Sequence, residues 1–412
     1  MNSELPSVPV PYSLFPIPEE AFVNFSDTEY FPPRRKTRAV QVGRLTMGGH
    51  APIVVQSMTK TDTREVGKTV EQIQQMEAAG CEMARLAVPD IEAAKALAEI
   101  RKRCPDSILV ADIHFQYKFA LMALDAGMDK LRINPGNIGD AEKVRMVVRR
   151  AQEQKVPIRI GVNAGSLERR LLEKYGYPTP EAMVESALYH IRILEELGFT
   201  DTVVSLKASN VKLCVSAYRL LAKQVDYPFH LGITEAGTQF TGTVKSCVGM
   251  GMLLAEGIGD TIRVSLATDP VEEVRVAYEM LKALELRSRG PVVIACPTCG
   301  RLEVDLFKIA AEIEKATAHI KVPVSLAVMG CAVNGPGEAR EADLGVAAGR
   351  GNGMIYREGK AIRRVSEAEI VPALLEEIER FVADKAAGID TTPAEITAQP
   401  APTAVPSFPI LK

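Results

Sequence analysis

Three cysteines in the last third of the sequence are the residues best suited to metal chemistry. Cys296 and Cys299 are separated by two residues, and Cys331 follows in a second segment rich in glycine. Thiolates at this spacing can share one metal centre, and loop N–H groups beside them can point at sulfide. Three thiolates leave one iron of a [4Fe–4S] cluster open, and Glu338 is the nearest carboxylate that could complete the site. The pattern favours an iron–sulfur centre.

Two other kinds of site remain open for the same cysteines. A structural zinc site fits the spacing of Cys296 and Cys299, although neither a second close pair nor a histidine lies near Cys331. A redox dithiol would use the first two cysteines and leave Cys331 without a role. The four other cysteines stand singly, and we expect buried, inert thiols at these positions: Cys81, Cys104, Cys214 and Cys247.

A second set of candidate residues is basic and stands at the ends of apolar segments. It consists of Arg132, Arg159, Lys207 and Arg263. In a barrel of parallel strands these ends meet around one opening, where four cations would repel each other unless an anion lies between them. Guanidinium groups match the paired oxygens of a phosphate, and serine hydroxyls can complete the shell. We therefore expect a diphosphate ligand, while ion pairs inside the barrel are the alternative for some of these residues.

The same strand ends carry further polar residues. Glu235 is the one acid that we single out among the cations, which suits a proton donor or an orienting group. Asn163 and Ser265 stand at two of the ends, beside the basic residues. His114 is as compatible with a hydrogen-bonded core histidine as with a functional one.

The alternation of apolar and amphipathic segments predicts an α/β protein. We expect a (β/α)8 TIM barrel followed by a smaller α/β iron–sulfur cluster domain. The eight predicted barrel strands are Ile53–Met58, Met83–Val88, Ile108–His114, Lys130–Asn134, Ile158–Val162, Thr202–Lys207, Phe229–Thr234 and Thr261–Leu266. A doubly wound open sheet is the competing fold, but the eight repeats and the lack of a glycine fingerprint after the first strand favour the barrel.

The predicted domain organisation has four parts. Residues 1–36 form an extended, weakly ordered arm, residues 37–287 the barrel with the diphosphate site, residues 291–384 the cluster domain, and residues 385–412 a disordered tail. A hairpin, Ala39–Val42 with Leu45–Met47, opens the barrel. The second domain is expected to contain strands Val292–Ala295 and Val324–Val328, helix Leu302–His319, a glycine-rich stretch, hairpin Gly353–Arg364 and helix Ser366–Asp384.

Composition narrows the class of protein. The chain has 412 residues and a net charge of −3, which gives no overall attraction to nucleic acid or to an anionic membrane. No apolar run reaches the length of a membrane span, and the acidic, proline-rich N-terminus does not resemble a secretory signal. We expect a cytoplasmic protein that binds neither nucleic acid nor a membrane.

Two groups of motifs give the sequence a specific resemblance. The first is Cys296-Pro-Thr-Cys299-Gly-Arg301 with Cys331-Ala-Val-Asn334-Gly-Pro-Gly-Glu338. The second comprises barrel blocks such as Leu-Arg132-Ile-Asn-Pro-Gly-Asn. Over roughly residues 37–383 the chain resembles the 4-hydroxy-3-methylbut-2-enyl diphosphate synthase family of the methylerythritol phosphate isoprenoid pathway. It resembles the two-domain bacterial form, because it lacks the extra domain that the plant form carries between the two.

The resemblance implies a reaction and a role for each matching residue. The substrate would be 2-C-methyl-D-erythritol 2,4-cyclodiphosphate, whose ring is opened and whose hydroxyl is removed with two electrons. The diphosphate-binding positions would be Arg132, Arg159, Asn163, Lys207, Arg263 and Ser265. Glu235 would deliver a proton, and Asn334 would face the substrate from the cluster loop. Cys296, Cys299 and Cys331 would hold a [4Fe–4S] cluster, with Glu338 as its resting fourth ligand.

The resemblance also implies partners. The sequence shows no nicotinamide or flavin fingerprint, so the electrons would come from a flavodoxin or ferredoxin. In this family the cluster domain of one subunit closes on the barrel of the other, and a homodimer is therefore expected.

Two further hypotheses stay open on the residues alone. One is a phosphosugar lyase or aldolase with a zinc-stapled accessory domain, in which Lys207 would form a Schiff base. The other is a non-catalytic cluster protein that senses iron or oxygen.

Overall fold

The computed structural model describes residues 32–331, 333–389 and 391. The chain divides into two compact units, Met1–Ala277 and Tyr278–Lys412. This division falls inside the last barrel helix, whereas the sequence placed the end of the barrel at residue 287. Among the described residues, no helix has the length and apolar character needed to cross a bilayer.

The first unit confirms the predicted barrel. Its strands are β1 (Val40–Val42), β2 (Leu45–Met47), β3 (Val54–Met58), β4 (Met83–Ala87), β5 (Leu109–Asp112), β6 (Lys130–Arg132), β7 (Ile158–Asn163), β8 (Thr202–Lys207), β9 (His230–Leu231) and β10 (Thr261–Ile262). The last eight form one parallel sheet in the order β8-β7-β6-β5-β4-β3-β10-β9. A parallel bridge between Val204 and Phe229 joins its two ends and closes the barrel.

Amphipathic helices surround the barrel. They are α1 (Val66–Ala79), α2 (Ile91–Arg103), α3 (Tyr117–Asp125), α4 (Ala141–Gln154), α5 (Arg169–Tyr175), α6 (Pro180–Glu196), α7 (Val211–Ala222), α8 (Gln239–Ala255) and α9 (Pro270–Ala283). Several begin at a residue whose side chain accepts a hydrogen bond from the first helical turn: Asp90, Asp140, Thr179 and Asn210. Such caps satisfy N–H groups that have no partner within the helix, and they fix where each helix leaves its loop.

The barrel floor is apolar. The hairpin of β1 and β2 packs Val42 and Met47 against inward residues of the strands, such as Val54, Val110 and Val203. This cluster is buried at the amino ends of the strands, so the hairpin covers that end of the barrel. Polar chemistry is therefore left to the middle of the barrel and its carboxyl ends.

The end of the predicted N-terminal arm is fastened to the barrel. Residues 1–31 lie outside the described residues, but Arg34 donates a hydrogen bond to Asp260 at 3.1 Å. Arg35 donates to the carbonyl oxygens of Val225 and Tyr227 at 2.6 and 2.5 Å. Residues 34 and 35 are thus held by side-chain contacts, which corrects the expectation of weak order up to residue 36.

The second unit is a mixed sheet with helices on its two faces. Its strands are β11 (Pro291–Ala295), β12 (Val324–Met329), β13 (Leu344–Gly349), β14 (Asn352–Arg357) and β15 (Lys360–Ser366), and its helices are α10 (Leu306–Thr317), α11 (Gly335–Glu341) and α12 (Ile370–Ala386). The strands are ordered as in the chain, with β11, β12 and β13 parallel and the last two antiparallel. Ile313, Leu374 and Phe381 pack α10 and α12 onto one face.

Several predicted elements differ from the structure. Strands β9 and β10 have two residues each rather than six, because their polar ends continue as loops. The glycine-rich stretch contains a strand, β13, and a short helix, α11, which glycine and proline concealed in the sequence. Helix α12 includes Lys385 and Ala386, which the sequence assigned to the tail. Apart from residues 385–389 and 391, the predicted tail lies outside the described residues.

Candidate functional site

The strand register brings the basic residues together inside the barrel. Asp112 on β5 is level with Arg132 on β6, which is level with Arg159 on β7. Asn163 at the end of β7 is level with Lys207 at the end of β8. Because residues level with one another in a sheet point to the same face, these side chains share the barrel interior. The structure thus places three of the predicted anion-binding cations next to each other.

Arg132 is the most completely paired of these cations. Its Nη1 lies 3.3 Å from Asp112 and its Nη2 donates to the carbonyl of Gly161 at 2.7 Å. The ring of His114 lies within hydrogen-bonding distance of Arg132 and 3.5 Å from Asp112. Burial disfavours the charge of Asp112, but Arg85, then His114 and Arg132, lower its pKa well below the usual value. This part of the site follows the ion-pair alternative left open by the sequence.

Arg159 has hydrogen-bond donors without acceptors. It is 1% exposed, and its Nη1 donates to Ser205 Oγ at 2.8 Å. Its Nε and Nη2 have no partner among the described residues. A buried guanidinium with free N–H groups is costly unless an acceptor completes it. An anion at the centre of the barrel would supply that acceptor.

Lys207 is surrounded by cations. Among the described residues, no carboxylate or hydrogen-bond acceptor contacts its Nζ. Burial, and then the charges of Arg159, Arg85 and Arg263, lower the pKa of Lys207 well below its usual value. A Cβ on Gly232 would lie 2.6 Å from Nζ, so that glycine makes room for the amine. A bound anion beside Nζ would favour the charged form of the lysine.

Two further basic residues are buried deeper in the barrel, and neighbouring cations lower their pKa as well. Lys130 is fully buried and contacts Gln56 Oε1 at 3.4 Å. Burial, followed by Arg159 and Arg85, lowers the pKa of Lys130 well below its usual value. His230 is also fully buried, and burial together with Arg159 and Lys207 lowers its pKa. The positive potential therefore extends below the mouth of the barrel.

Sequence reasoning missed Arg85 and Glu273. Arg85 stands in the middle of β4 among apolar residues, and its charge shifts the pKa of several basic residues around it. Glu273, on α9, lies 3.3 Å from Arg263. Together with Asp112, it corrects the view that Glu235 is the one acid among these cations. Alternate residues of a barrel strand point inward, so the position of Arg85 in β4 could have identified it as an inward residue. No sequence pattern around Glu273 pointed to a buried role.

Three further predicted residues lie at the loops above the strands. Asn163 is partly buried at the end of β7, and Ser265 is partly buried in the loop after β10. Glu235 is exposed and adopts a left-handed backbone with φ of 51°. Among the described residues, no side chain pairs with its carboxylate. The structure thus keeps Glu235 at the rim without bringing it into contact with the cations.

The predicted cluster ligands lie at one edge of the second sheet. Cys296 follows β11, and Cys331 follows β12, its parallel neighbour. The N–H of Cys296 donates to the carbonyl of Val328 at 3.1 Å, and the N–H of Glu303 donates to that of Gly330 at 3.2 Å. The loop that carries Cys299 is therefore tied to the loop that carries Cys331. Still, among the described residues no three Cys, His, Asp or Glu side chains are close enough to hold a metal ion.

The surroundings of Cys331 suit a thiolate. The backbone N–H groups of Val333 and Asn334, and then the side chain of Arg301, lower the pKa of the Cys331 thiol. Asn334 precedes α11, and Glu338 stands in the first turn of that helix with an exposed side chain. The sequence had placed Glu338 in a loop; the structure places it on a helix.

The remaining cysteines behave differently. Cys81, Cys104 and Cys214 are buried, and Cys247 is half-buried. Burial raises the pKa of Cys81 to about 12 and that of Cys214 to about 11. Such thiols are poor nucleophiles and poor metal ligands, in agreement with the inert role expected from the sequence.

Comparisons with known proteins agree with this architecture. Residues 37–278 match the model of the GcpE TIM-barrel domain, and residues 292–380 match that of the GcpE protein C-terminal domain. A relative from Geobacter sulfurreducens is 58% identical over 85% of this chain and 99% of its own length. Relatives from Geobacillus thermodenitrificans and Symbiobacterium thermophilum are 60% identical over 84% and 86% of this chain and 93% and 96% of their own lengths.

All three relatives are named 4-hydroxy-3-methylbut-2-en-1-yl diphosphate synthase (flavodoxin). A solved type I 3-dehydroquinate dehydratase from Clostridium difficile covers 60% of this chain and 98% of its own, at 13% identity and a TM-score of 0.46, which adds nothing to the assignment. The family resemblance seen in the sequence is confirmed, and the chain belongs to the GcpE family.

Proposed function

We propose that this protein opens the ring of 2-C-methyl-D-erythritol 2,4-cyclodiphosphate reductively and forms 4-hydroxy-3-methylbut-2-enyl diphosphate. Two electrons and two protons enter, one C–O bond to phosphate and one C–OH bond break, and the hydroxyl leaves as water. The observation that carries the proposal is a barrel filled with buried cations, some of whose N–H groups have no acceptor among the described residues. The names of the relatives supply the product, and the family resemblance supplies the substrate.

The barrel residues would bind the two phosphates of the substrate. Arg159 and Arg263 have buried guanidinium N–H groups without acceptors, and Lys207 has no carboxylate partner among the described residues. Arg132 and Asn163 stand at the ends of the neighbouring strands β6 and β7, Ser265 lies in the loop after β10, and all three would complete the phosphate shell. A charge-assisted hydrogen bond to phosphate would satisfy these donors, whose burial without an acceptor is destabilising.

The second domain would hold a [4Fe–4S] cluster. The donor set fits: three thiols at one sheet edge, one of them with a lowered pKa beside two backbone N–H groups. Cys296, Cys299 and Cys331 would be the thiolate ligands, and Glu338 would be the exchangeable fourth ligand. When bound, the cluster supplies one-electron transfer and a Lewis-acidic iron.

Proton delivery is proposed for Glu235. Its side chain is exposed at the rim of the barrel, and its backbone is left-handed, a conformation that the surrounding loop must maintain. Asn334, exposed before α11, would contact the substrate from the cluster loop. Both roles rest on the match to the family motif.

The electron donor is proposed to be a flavodoxin, with ferredoxin as the alternative. The name of each relative includes flavodoxin. We further propose that the protein acts in the cytoplasm, where a reducing environment keeps thiolate ligands available.

A homodimer is proposed from the family resemblance. Helix α8 supports it, because Phe240, Val244, Val248 and Met252 are exposed at four-residue spacing along one side. A second copy would remove this apolar stripe from water. Sedimentation of the cluster-loaded protein should give a dimer, and Val248→Lys should shift it toward the monomer; a wild-type monomer would contradict the proposal.

The lyase with a zinc-stapled domain is not favoured. Lys207 has the lowered pKa that a Schiff-base lysine needs, but the three relatives are named as a synthase of a different reaction class. Nor do those names describe a sensor.

The variant Cys331→Ser tests the proposal. Anaerobically prepared wild-type protein should convert the cyclic diphosphate with reduced flavodoxin, and Cys331→Ser should lose this turnover because a cluster ligand is missing. Cys247→Ser is the matched control, since Cys247 is a half-buried thiol on α8. Circular dichroism should show the same helix content in all three proteins. Turnover retained by Cys331→Ser would overturn the cluster assignment.

A further inference from the structure

We propose that Glu273 is the positioning residue of the anion site, and that it holds Arg263 in the place where this guanidinium meets the substrate diphosphate. This inference rests on the proposed function and deepens it. It names a residue on a helix outside the barrel that does not itself contact the substrate.

Glu273 is a buried carboxylate with four partners. It is 1% exposed on α9. Ser57 Oγ donates to its Oε2 at 2.8 Å, and the backbone N–H of Leu266 donates to its Oε1 at 3.0 Å. Arg263 Nη2 lies 3.3 Å from both oxygens, and Lys60 Nζ lies 3.2 Å from Oε1. The carboxylate has no capacity left for a ligand.

These contacts join the two ends of the barrel in sequence. Ser57 belongs to β3, the first barrel strand, and Arg263 follows β10, the last one, which pairs with β3. Lys60, beyond β3, also donates to the carbonyls of Leu266 and Thr268 in the loop after β10. Glu273 therefore fixes the ends of β3 and β10, the first and last barrel strands along the chain, where the two pair with each other.

Arg263 needs such an anchor. Burial, and the charge of Arg85, act against its own charge, while Glu273 favours it and is the first favourable partner. With Nη2 held by Glu273, the buried Nε is left without an acceptor among the described residues. Glu273 thus restricts the guanidinium to one arrangement and leaves a donor free for phosphate.

Two possible roles of Glu273, neutralising charge and positioning Arg263, predict opposite changes in anion affinity when the carboxylate is removed. If Glu273 only neutralised positive charge, its removal would make the barrel more positive and would tighten the binding of anions. If it positions Arg263, its removal lets Arg85 repel the guanidinium away from the site, and anion binding weakens. The sign of the change in affinity therefore separates the two roles.

The test uses cluster-loaded protein and inorganic diphosphate as the probe. Glu273→Gln keeps the shape of the side chain and an oxygen for Ser57 or Leu266 but removes the charge that holds Arg263. We expect the dissociation constant of diphosphate to rise about tenfold, as the loss of one charge-assisted hydrogen bond implies. In turnover, KM for the cyclic diphosphate should rise with little change in kcat. A merely structural role would lower the active fraction and kcat without changing KM.

The matched control is Glu272→Gln, the same change at the adjacent position, where the carboxylate contacts Arg275. It should leave the affinity for diphosphate unchanged. Ser57→Ala removes one of the contacts that hold the carboxylate, and it should weaken binding in the same direction if Glu273→Gln does not fold. Unchanged or tighter binding by either variant would overturn the inference. Because the diphosphate titration needs no turnover, a wild-type protein that binds diphosphate but does not convert the cyclic substrate would contradict the proposed function alone.

Discussion

At the scale of single residues, the barrel is defined by donors that lack acceptors. Arg159 and Arg263 carry buried N–H groups without partners, and Lys207 has no carboxylate partner, among the described residues. The sequence identified these three residues as basic side chains in apolar segments, although Arg159 is the second residue of β7 rather than its last. It could not identify Glu273, since a glutamate in the first turn of a helix is ordinarily a surface residue. Only the packing of α9 against the barrel buries it.

Arg263→Ala should weaken substrate binding much more than it weakens the fold. Glu273 keeps its contacts with Ser57, Lys60 and Leu266 when the guanidinium is removed. We expect the dissociation constant of inorganic diphosphate to rise at least about tenfold, from the loss of a charge-assisted hydrogen bond. The melting temperature should change by less than about 4 °C.

The control for this prediction is Arg219→Ala, which removes a half-exposed arginine paired with Glu256 at the outside of the barrel. It should leave diphosphate binding intact. Affinity in Arg263→Ala equal to that of the wild type would mean that Arg263 is only a structural ion-pair partner of Glu273.

At the scale of elements, glycines in the strands make room for the cations. Gly161 on β7 faces Arg132, and a Cβ there would lie 2.3 Å from Nε of that arginine. Asn134 bonds both the N–H and the carbonyl of Gly161, at 2.8 and 3.1 Å, so the strand cannot shift away. Gly161 lies within the predicted strand Ile158–Val162, where a glycine weakens the strand pattern, and the need for it is seen only once the facing arginine is known.

Gly161→Ala should therefore displace the guanidinium of Arg132 without unfolding the barrel. We expect diphosphate affinity to fall about tenfold through the loss of the Arg132 position. Gly165→Ala is the matched control, because a Cβ there meets no atom within 4 Å. Titration calorimetry of the two variants measures the difference, and equal affinities would show that Arg132 does not contribute to anion binding.

The elements themselves were predictable to different degrees. Helices such as α2 and α4 were predictable from the sequence, because Asp90 and Asp140 can cap their first turns and a clear apolar period runs through each helix. Strand β13 and helix α11 were not, since glycine and proline suggest loops and the helix packs through the small residue Ala339. The elements that follow Cys331 could thus be seen only in three dimensions.

At the scale of the whole molecule, basic residues are concentrated inside the barrel although the net charge of the chain is close to zero. The net charge of −3 gives no hint of the positive barrel interior. The acids lie mainly on outer surfaces, while Arg85, Lys130 and Arg159 lie inside. An anion is therefore attracted by a local field rather than by the surface as a whole.

Anion binding should consume protons and weaken as the pH rises. In the empty barrel, burial and then the neighbouring arginines lower the pKa of Lys207, so its neutral form is favoured at alkaline pH. A bound diphosphate favours the ammonium form and raises that pKa, so protons are taken up on binding. Titrations of diphosphate near pH 8 in two buffers of different ionisation heat should show this uptake. Lys207→Arg, which keeps a permanent charge, should reduce it; equal heats in both buffers would contradict the prediction.

The most direct measurement is the electron stoichiometry of turnover under strictly anaerobic conditions. Cluster-loaded protein, reduced flavodoxin and 2-C-methyl-D-erythritol 2,4-cyclodiphosphate are mixed, and the product is identified by mass spectrometry while the oxidation of flavodoxin is followed optically. The account predicts 4-hydroxy-3-methylbut-2-enyl diphosphate with two electrons consumed per molecule formed. Product formed without electron consumption, or no product from protein with a full complement of iron and sulfide, would contradict it.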